Sequence, residues 1–415
     1  MIEEVRIEKI VHGGQGLGTL PDGRKVFVWN ALPGELVRVQ VWRGKKKYAE
    51  GIALEVLEPS AERVEPREVN HMGTSPWQIM NFETENKLKS EITRDIFARE
   101  QVTLPEFAVR TDGVEYGYRN KMEYSFYGDD DGLHLALFAR GSHRKEILTG
   151  SALAAPVINE AANAILKVIP KEIRGSDLKT IIVRSSQKGE TVAALYVKAE
   201  KFPELPLPSG VKGLRVYHSN PKSPASVPTR LLYELGDVHL SDELFGTELT
   251  YDVESFFQVN VPVFELALTE MKNHLDEDSL TDMYAGVGTI GLSLAKKAVD
   301  LIELDTATAA MARLNAEKSH VKAQVIEAST EKVLEHIRSD RALVFDPPRA
   351  GLHDKVVDKV LETLPPKILY LSCNPATHAR DIAKLQEAYT LESFEVYNFF
   401  PRTPHIESLA VLRRK

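Results

Sequence analysis

Apolar and polar residues alternate at short range in the first part of the chain, whereas its last third switches repeatedly between strand and helix spacing. In residues 1–58, Val5, Ile7 and Ile10 open an alternating run, and a glycine-rich tract, HGGQGLG, follows at 12–18. Apolar runs at 25–29, 35–42 and 48–57 are separated by turn signals such as Pro21-Asp22-Gly23 and Pro33-Gly34. Short strands at this spacing predict a small barrel of the oligonucleotide-binding kind. Residues 59–66, bounded by prolines, read as a linker, and 82–100 as a helix. From 116 to 250 the pattern is mostly strand-like, with a helix near 157–168 and a proline-rich loop or linker at 203–228.

Beyond residue 262 the pattern predicts strands at 280–284, 299–303, 323–326, 342–346 and 367–371. Helices are predicted at 262–275, 289–297, 306–318, 330–338, 353–363 and 376–387. Such alternation is the mark of a doubly wound parallel sheet. Two last strands, 390–398 and 406–413, have no long helix between them and predict an antiparallel pair at one edge. The expected fold class is therefore a multidomain α/β chain: a β-barrel at 1–58, a central α+β domain at 59–250 and a Rossmann-like catalytic domain at 251–415.

Composition narrows this further. The chain has 415 residues, 43% hydrophobic and 27% charged, which is ordinary globular composition. A net charge of −8 argues against a uniformly basic nucleic-acid glove but leaves room for local patches. One such patch is RGKKK at 43–47, near Trp29, Trp42 and Tyr48. It reads either as a solvated hairpin tip or as a phosphate clamp, and the rings either as core or as stacking platforms. The single cysteine, Cys373, rules out an internal disulfide, a Cys-based zinc site and a Cys-ligated iron–sulfur cluster within one chain. No metal site is expected. The N-terminal MIEEVRIEKIV is unlike a signal peptide, and no apolar run approaches the roughly 20 residues that span a bilayer. The expectation is a soluble, cytoplasmic protein with no membrane partner.

Four strand ends carry candidate chemistry. The first ends in DMYAGVGTIG at 282–291, where Gly286, Gly288 and Gly291 fit a G-x-G-x-x-G loop. The next strand ends in Glu303, placed to accept hydrogen bonds from ribose hydroxyls. The loop serves several nucleoside cofactors, and Asp282 tips the reading toward the methyltransferase form. The fourth strand ends in DPPRAG at 346–351, whose prolines fix an extended turn with Asp346 over the crevice. The fifth ends in Ser372-Cys373-Asn374-Pro375, a helix start in which the helix dipole favours a Cys373 thiolate. A thiolate beside a methyl donor suits methylation of pyrimidine carbon 5, through addition at carbon 6. That chemistry needs a base to remove the carbon-5 proton. Glu407 is the first candidate and His405 the second.

Together these pieces resemble the RNA uracil-5-methyltransferase family. The matching segments are SFFQVN at 255–260, DMYAGVGTIGLSLA at 282–295, LIEL at 301–304, FDPPRAGL at 345–352, LSCNPATHARD at 371–381 and FPRTPHIE at 400–407. The first 58 residues look like the family's TRAM barrel, and YRNKMEYSF at 118–126 like its central motif. The resemblance implies S-adenosylmethionine as cofactor, Cys373 as nucleophile and Glu407 as base. It implies that Gln258, Tyr284, Glu303 and Asp346 contact the methyl donor or its surroundings, with Gly286 and Gly288 under its methionine portion. Asp346 would also meet the uracil ring at nitrogen 3, and Arg349 would steady the base or a phosphate. The implied partner is RNA, with 23S rRNA favoured by the barrel and tRNA as the alternative, and the implied state is a monomer. Relatives often hold an iron–sulfur cluster where this chain has NHMGTSPWQIM at 70–80, without a cysteine. Two further departures are Ala285 in the glycine loop and Ser329 where an acid often follows the third strand. The competing expectations are an amino-group methyltransferase built on the Pro-Pro turn and a decayed RNA-binding assembly factor.

Overall fold

The computed structural model describes all residues except 142–143 and 224–225, so Pro224 of the proline-rich stretch and the side chain of Arg43 lie outside the described residues. Strands Ile2–Ile10, Gly16–Thr19, Lys25–Trp29, Leu36–Gly44 and Tyr48–Glu58 close into a barrel. Val5, Ile7, Val26, Val28, Val37 and Val39 fill it. The second strand lies inside the glycine tract. At Gly18 an added Cβ would fall 2.4 Å from Val5, so the glycine lets two strands close together. Lys45, Lys46 and Lys47 form an exposed tip. Neither tryptophan is core. Arg140 stacks over Trp29 at 4.1 Å, and Trp42 remains 40% exposed.

Among the described residues, a seven-stranded central sheet runs in the order Arg230–Gly236, Gly213–His218, Thr191–Val197, Leu178–Ser185, Lys121–Asp129, Gly132–Phe138 and Lys145–Leu148. The helix Pro156–Val168 covers it through Ile158, Ala162 and Ile165. The stretch 203–228 is not all linker. Gly213–His218 is a strand paired in parallel with Thr191–Val197, and Leu214 and Val216 are fully buried. Flanking prolines conceal its two-residue period.

The catalytic sheet has eight strands, in the order Lys322–Glu327, Ala298–Glu303, Ser279–Asp282, Ala342–Phe345, Lys367–Ser372, Glu407–Arg414, Tyr389–Tyr397 and Val109–Arg110. The last strand of the chain is antiparallel to both of its neighbours. The expected antiparallel pair is present; Val109–Arg110, from early in the chain, adds a two-residue edge beyond it, and Glu407–Arg414 is its inner strand. The reason is its run of six buried residues from Glu407 to Leu412, which needs pairing on both sides. The expected helix at 330–338 is instead two short 3₁₀ turns, Thr330–Lys332 and Leu334–His336. Side-chain bonds to the sheet hold these turns: the Thr330 hydroxyl donates to the Met283 carbonyl and the Thr281 hydroxyl to that of His336. The helix expected at 289–297 ends at Leu294. Among the described residues no helix is long and apolar enough to cross a membrane.

The 59–250 span does not pack as one unit. The helix Phe82–Arg99 shares a core with the catalytic sheet, through Leu88, Ile92, Ile96 and Phe97 against Tyr370, Ile382 and Phe394. A buried polar cluster fixes it there. Lys89 and Glu85, both fully buried, form an ion pair of 3.0 Å. Lys89 donates to Asn398 Oδ1 and the Phe400 carbonyl, while Glu85 accepts from Asn398 Nδ2 and the Arg402 amide. In the cysteine-free stretch, Trp77 joins this cluster: its amide donates to the Arg402 carbonyl, and its Nε1 donates to the Gly14 carbonyl in the barrel. Nearby, Gln78 donates to Glu68 and to Ser75. Removing one member of a buried pair strands the other's charge, at a cost of about 3–5 kcal/mol. Lys89→Met is therefore expected to lower unfolding free energy by about that much, read by urea titration, with partial recovery in Glu85→Gln/Lys89→Met.

Candidate active site

A cavity of about 990 Å³ opens at the carboxyl ends of the parallel strands. Its floor is set by the glycine loop. Asp282 is fully buried and accepts from the amides of Gly291 (3.0 Å) and Tyr284 (3.4 Å), tying the strand to the helix Thr289–Leu294. Burial raises its pKa to about 7. Gly286 (φ +56°) and Gly288 (φ +90°) take left-handed conformations that a side chain disfavours. An added Cβ at Gly288 would meet Leu292 at 2.7 Å, whereas at Gly286 its nearest contact is Phe256 at 3.8 Å. Gly286 thus faces the cavity, whereas the Cα of Gly288 is packed against Leu292 and Leu301. Glu303 accepts from the Gly286 amide (2.9 Å) and the Asp305 amide (2.8 Å). Each carboxylate oxygen retains a further lone pair for a ligand.

The fourth and fifth strands deliver the reactive groups. Gln258 Nε2 donates to Asp346 at 3.2 Å, and the Gln258 carbonyl is held by Asn120 Nδ2 at 2.9 Å. The loop carrying Asp346 and Arg349 is locked to the helix Pro375–Leu385 that follows Cys373. Asn374 Nδ2 donates to the Arg349 carbonyl at 2.8 Å, and buried Asp381 accepts from the Leu352 amide and the Tyr370 hydroxyl, both at 2.8 Å. Asn374 also caps the helix, accepting from the Ala376 amide.

Electrostatics divides these groups. Burial, then the charges of Glu407 and Asp346, push the Cys373 thiol up to about 12, against a lowering contribution from Arg349. Desolvation and two neighbouring acids thus oppose the helix end that favours a thiolate, so the thiol needs a base to take its proton. Burial raises Asp346 to about 7, with help from Asp282 and against Gln258. Burial and Asp346 push Glu407 well above the usual carboxylate range, with Arg349 opposing. His405 moves the other way. Surrounding protein desolvates the imidazole, and Arg349, Lys89, Arg119 and Arg140 add repulsion, bringing it down to about 4. Such a histidine is a weak base, so of the two candidates Glu407 is the stronger.

Gln258, Tyr284, Gly286, Glu303, Asp346, Cys373 and Glu407 therefore line one cavity. Arg119, Phe256 and Phe400, which lie within quoted motifs but were given no role there, are among the further lining residues. Phe256 is 60% exposed although its neighbour Phe257 is buried, and one-dimensional pattern cannot tell which of two adjacent rings turns outward. Ser329 reaches the cavity wall, and Glu331, two residues on, lines it as well. Glu331 is held below the usual carboxylate range by its own backbone amide and by Ser329, so an anionic group does stand after the third strand.

Comparison with known proteins agrees with this layout. Residues 238–415 match the tRNA (Uracil-5-)-methyltransferase family, and residues 2–54 the TRAM domain. An uncharacterized RNA methyltransferase from Thermosynechococcus vestitus is 30% identical, over 99% of this chain and 97% of the relative. Another, from Fusobacterium nucleatum, is 27% identical over 100% of this chain and 96% of its own length. The crystal structure of Pyrococcus abyssi tRNA (uracil-54, C5)-methyltransferase with S-adenosyl-L-homocysteine has the same fold, with a TM-score of 0.81 and 23% identity over 99% of this chain and 100% of that one. The chain belongs to the RNA uracil-5-methyltransferase family and is a TRAM-domain, S-adenosylmethionine-dependent RNA methyltransferase.

Proposed function

We propose that the protein methylates carbon 5 of a uridine in RNA through a covalent bond between Cys373 and carbon 6, with 23S rRNA as the substrate. The observation that carries this reading is that Cys373, Glu407 and Asp346 face one cavity together with the glycine loop. The residues fit the cofactor: Gly286 leaves its backbone open to a ligand, and Glu303 has free lone pairs for ribose hydroxyls. Once bound, S-adenosylmethionine supplies an electrophilic methyl group.

The chain's own residues do the rest. Two acids sharing a site do not readily ionise together; ionised Asp346 takes the Cys373 proton, and once Asp346 is neutral Glu407 releases its own proton to solvent and stands ionised. Sulfur then adds to carbon 6, and the electron pair of the ring double bond moves toward carbon 5 and oxygen 4, so carbon 5 can accept a methyl group. Ionised Glu407 removes the carbon-5 proton, the double bond re-forms, and Cys373 leaves as thiolate. A carboxylate with a raised pKa is the stronger base for this step. Asp346, oriented by Gln258, presents an acceptor to the N3–H of uracil, a hydrogen that neutral cytosine lacks. A reducing, cytoplasmic setting supports a mechanism that depends on a free thiol.

The pH dependence follows from the sign of these shifts. Acids with raised pKa values are protonated, and inactive as bases, below the raised value. The acid limb of kcat/KM is expected near pH 7, where Asp346 titrates, and not near that of a solvated carboxyl. A pH–rate profile flat down to pH 5 would oppose this reading.

The ribosomal target rests on the barrel. One observation favours tRNA as a second reading: the Pyrococcus abyssi chain, named for uracil 54 of tRNA, is covered over its whole length by this architecture. Nucleoside mapping of 23S rRNA and tRNA, from cells with and without the gene, separates the two. Loss of 5-methyluridine from 23S rRNA supports the first, and loss from tRNA alone replaces it with the second.

A further inference from the structure

The barrel is not a remote appendage. Its glycine loop sits against the segment that carries His405 and Glu407. Gly13 (φ +96°) and Gly14 (φ +94°) form a turn, closed by the Gly14 amide donating to the Val11 carbonyl at 2.9 Å. Gly14 lies so close to Pro404 that an added Cβ would stand 2.4 Å from the proline's Cβ. Its carbonyl accepts from Trp77 Nε1 at 3.1 Å. His12, exposed on this turn, lies within reach of the charge of Arg349.

Cations from the central and catalytic parts of the molecule meet at this mouth, beside the barrel turn. Arg349 approaches His405 Nδ1 at 3.5 Å. Arg119 lies over the Phe400 ring, and its buried Nε has no hydrogen-bond partner. Arg140 stacks on Trp29 and donates to the Met72 carbonyl. The charges of Arg119, Arg140 and Arg349 all act on His405. Among the described residues, none of these three arginines makes an ion pair with a carboxylate. In a chain of net charge −8, three such arginines around one opening mark a site for an anion from outside.

We infer that this mouth grips the phosphodiester beside the target uridine, with Arg119 and Arg349 taking the phosphate charge and His12 of the barrel donating a hydrogen bond to it. The inference rests on the RNA reading above. A base must leave its stack to enter the cavity, and its backbone must then cross the rim. The barrel loop supplies one side of that rim, so the barrel belongs to the target site itself, in addition to any separate RNA surface.

The test uses the full-length protein with unmodified 23S rRNA and tRNA transcripts, following methyl transfer, RNA binding against salt, and S-adenosylmethionine binding. For single strands the slope of log K against log salt changes by about 0.7 per phosphate contact. His12→Ala is expected to raise KM for RNA about 5- to 10-fold with kcat within twofold and cofactor binding unchanged. His12→Lys, which adds a permanent charge at an exposed position, is expected to steepen the salt slope by about 0.7. Arg349→Gln is expected to flatten the slope by about the same amount. The inference is overturned if His12→Ala leaves KM unchanged and His12→Lys leaves the slope unchanged while the wild type methylates RNA. If the wild type neither binds nor methylates either transcript, it is the RNA substrate reading that fails.

Discussion

Cys373→Ala is expected to lose methyl transfer by about 10³-fold or more while still binding S-adenosylmethionine. Carbon 5 of uracil is a poor nucleophile, and the adduct at carbon 6 is what gives it electron density. No other residue can replace the sulfur, because the chain has one cysteine. Cys373 is half-buried at a strand exit, so the substitution removes one sulfur atom and costs stability by only about 1 kcal/mol. A thermal melt close to wild type then separates lost chemistry from lost fold. RNA containing 5-fluorouridine gives the complementary result. Fluorine at carbon 5 cannot leave as a proton does, so the wild type is trapped as a covalent protein–RNA complex. Cys373→Ala gives no such complex. Unchanged methylation in the alanine variant would sink the covalent mechanism.

Glu407→Gln is expected to stop the reaction one step later. The amide keeps the size of the side chain but cannot take the carbon-5 proton, so kcat falls by about 10²–10⁴-fold. Addition of Cys373 is spared and even favoured, because the Glu407 charge is one of the groups that raise the thiol pKa. The variant should therefore accumulate a denaturation-resistant complex with ordinary uridine RNA, already carrying the methyl group. Mass spectrometry of that complex checks the assignment. Full turnover by the variant would move the base role elsewhere in the cavity.

These two residues show what the sequence made legible. Cys373, Glu303 and Asp346 lie at strand ends, which hold the site in an α/β sheet, and the need for a carbon-5 base pointed to Glu407 at a strand entry. The glycine loop also follows a strand end, whereas Gln258 came from the family resemblance alone; of these residues Gly288 and Gly291 do not line the cavity. What stayed hidden were properties of three-dimensional neighbourhoods. Burial raises the thiol pKa, and Glu407 and Asp346, 34 and 27 positions away along the chain, come to face Cys373 and add to it. Arg119 had no assigned role because its place over Phe400 depends on contact between the central and catalytic parts.

The fold divides along the same line. Local period and turn chemistry were enough to predict the barrel, the parallel strands and most of the helices, because those features depend on residues close together in sequence. Only the tertiary structure decided that Phe82–Arg99 and Val109–Arg110 pack with the catalytic sheet, and that the last strand enters its interior. It alone brought the Gly14 turn of the barrel onto Pro404 beside the site. Each of these choices is made by burial against a distant surface. Spacing along one segment records that a face is apolar, but not which other segment will cover it.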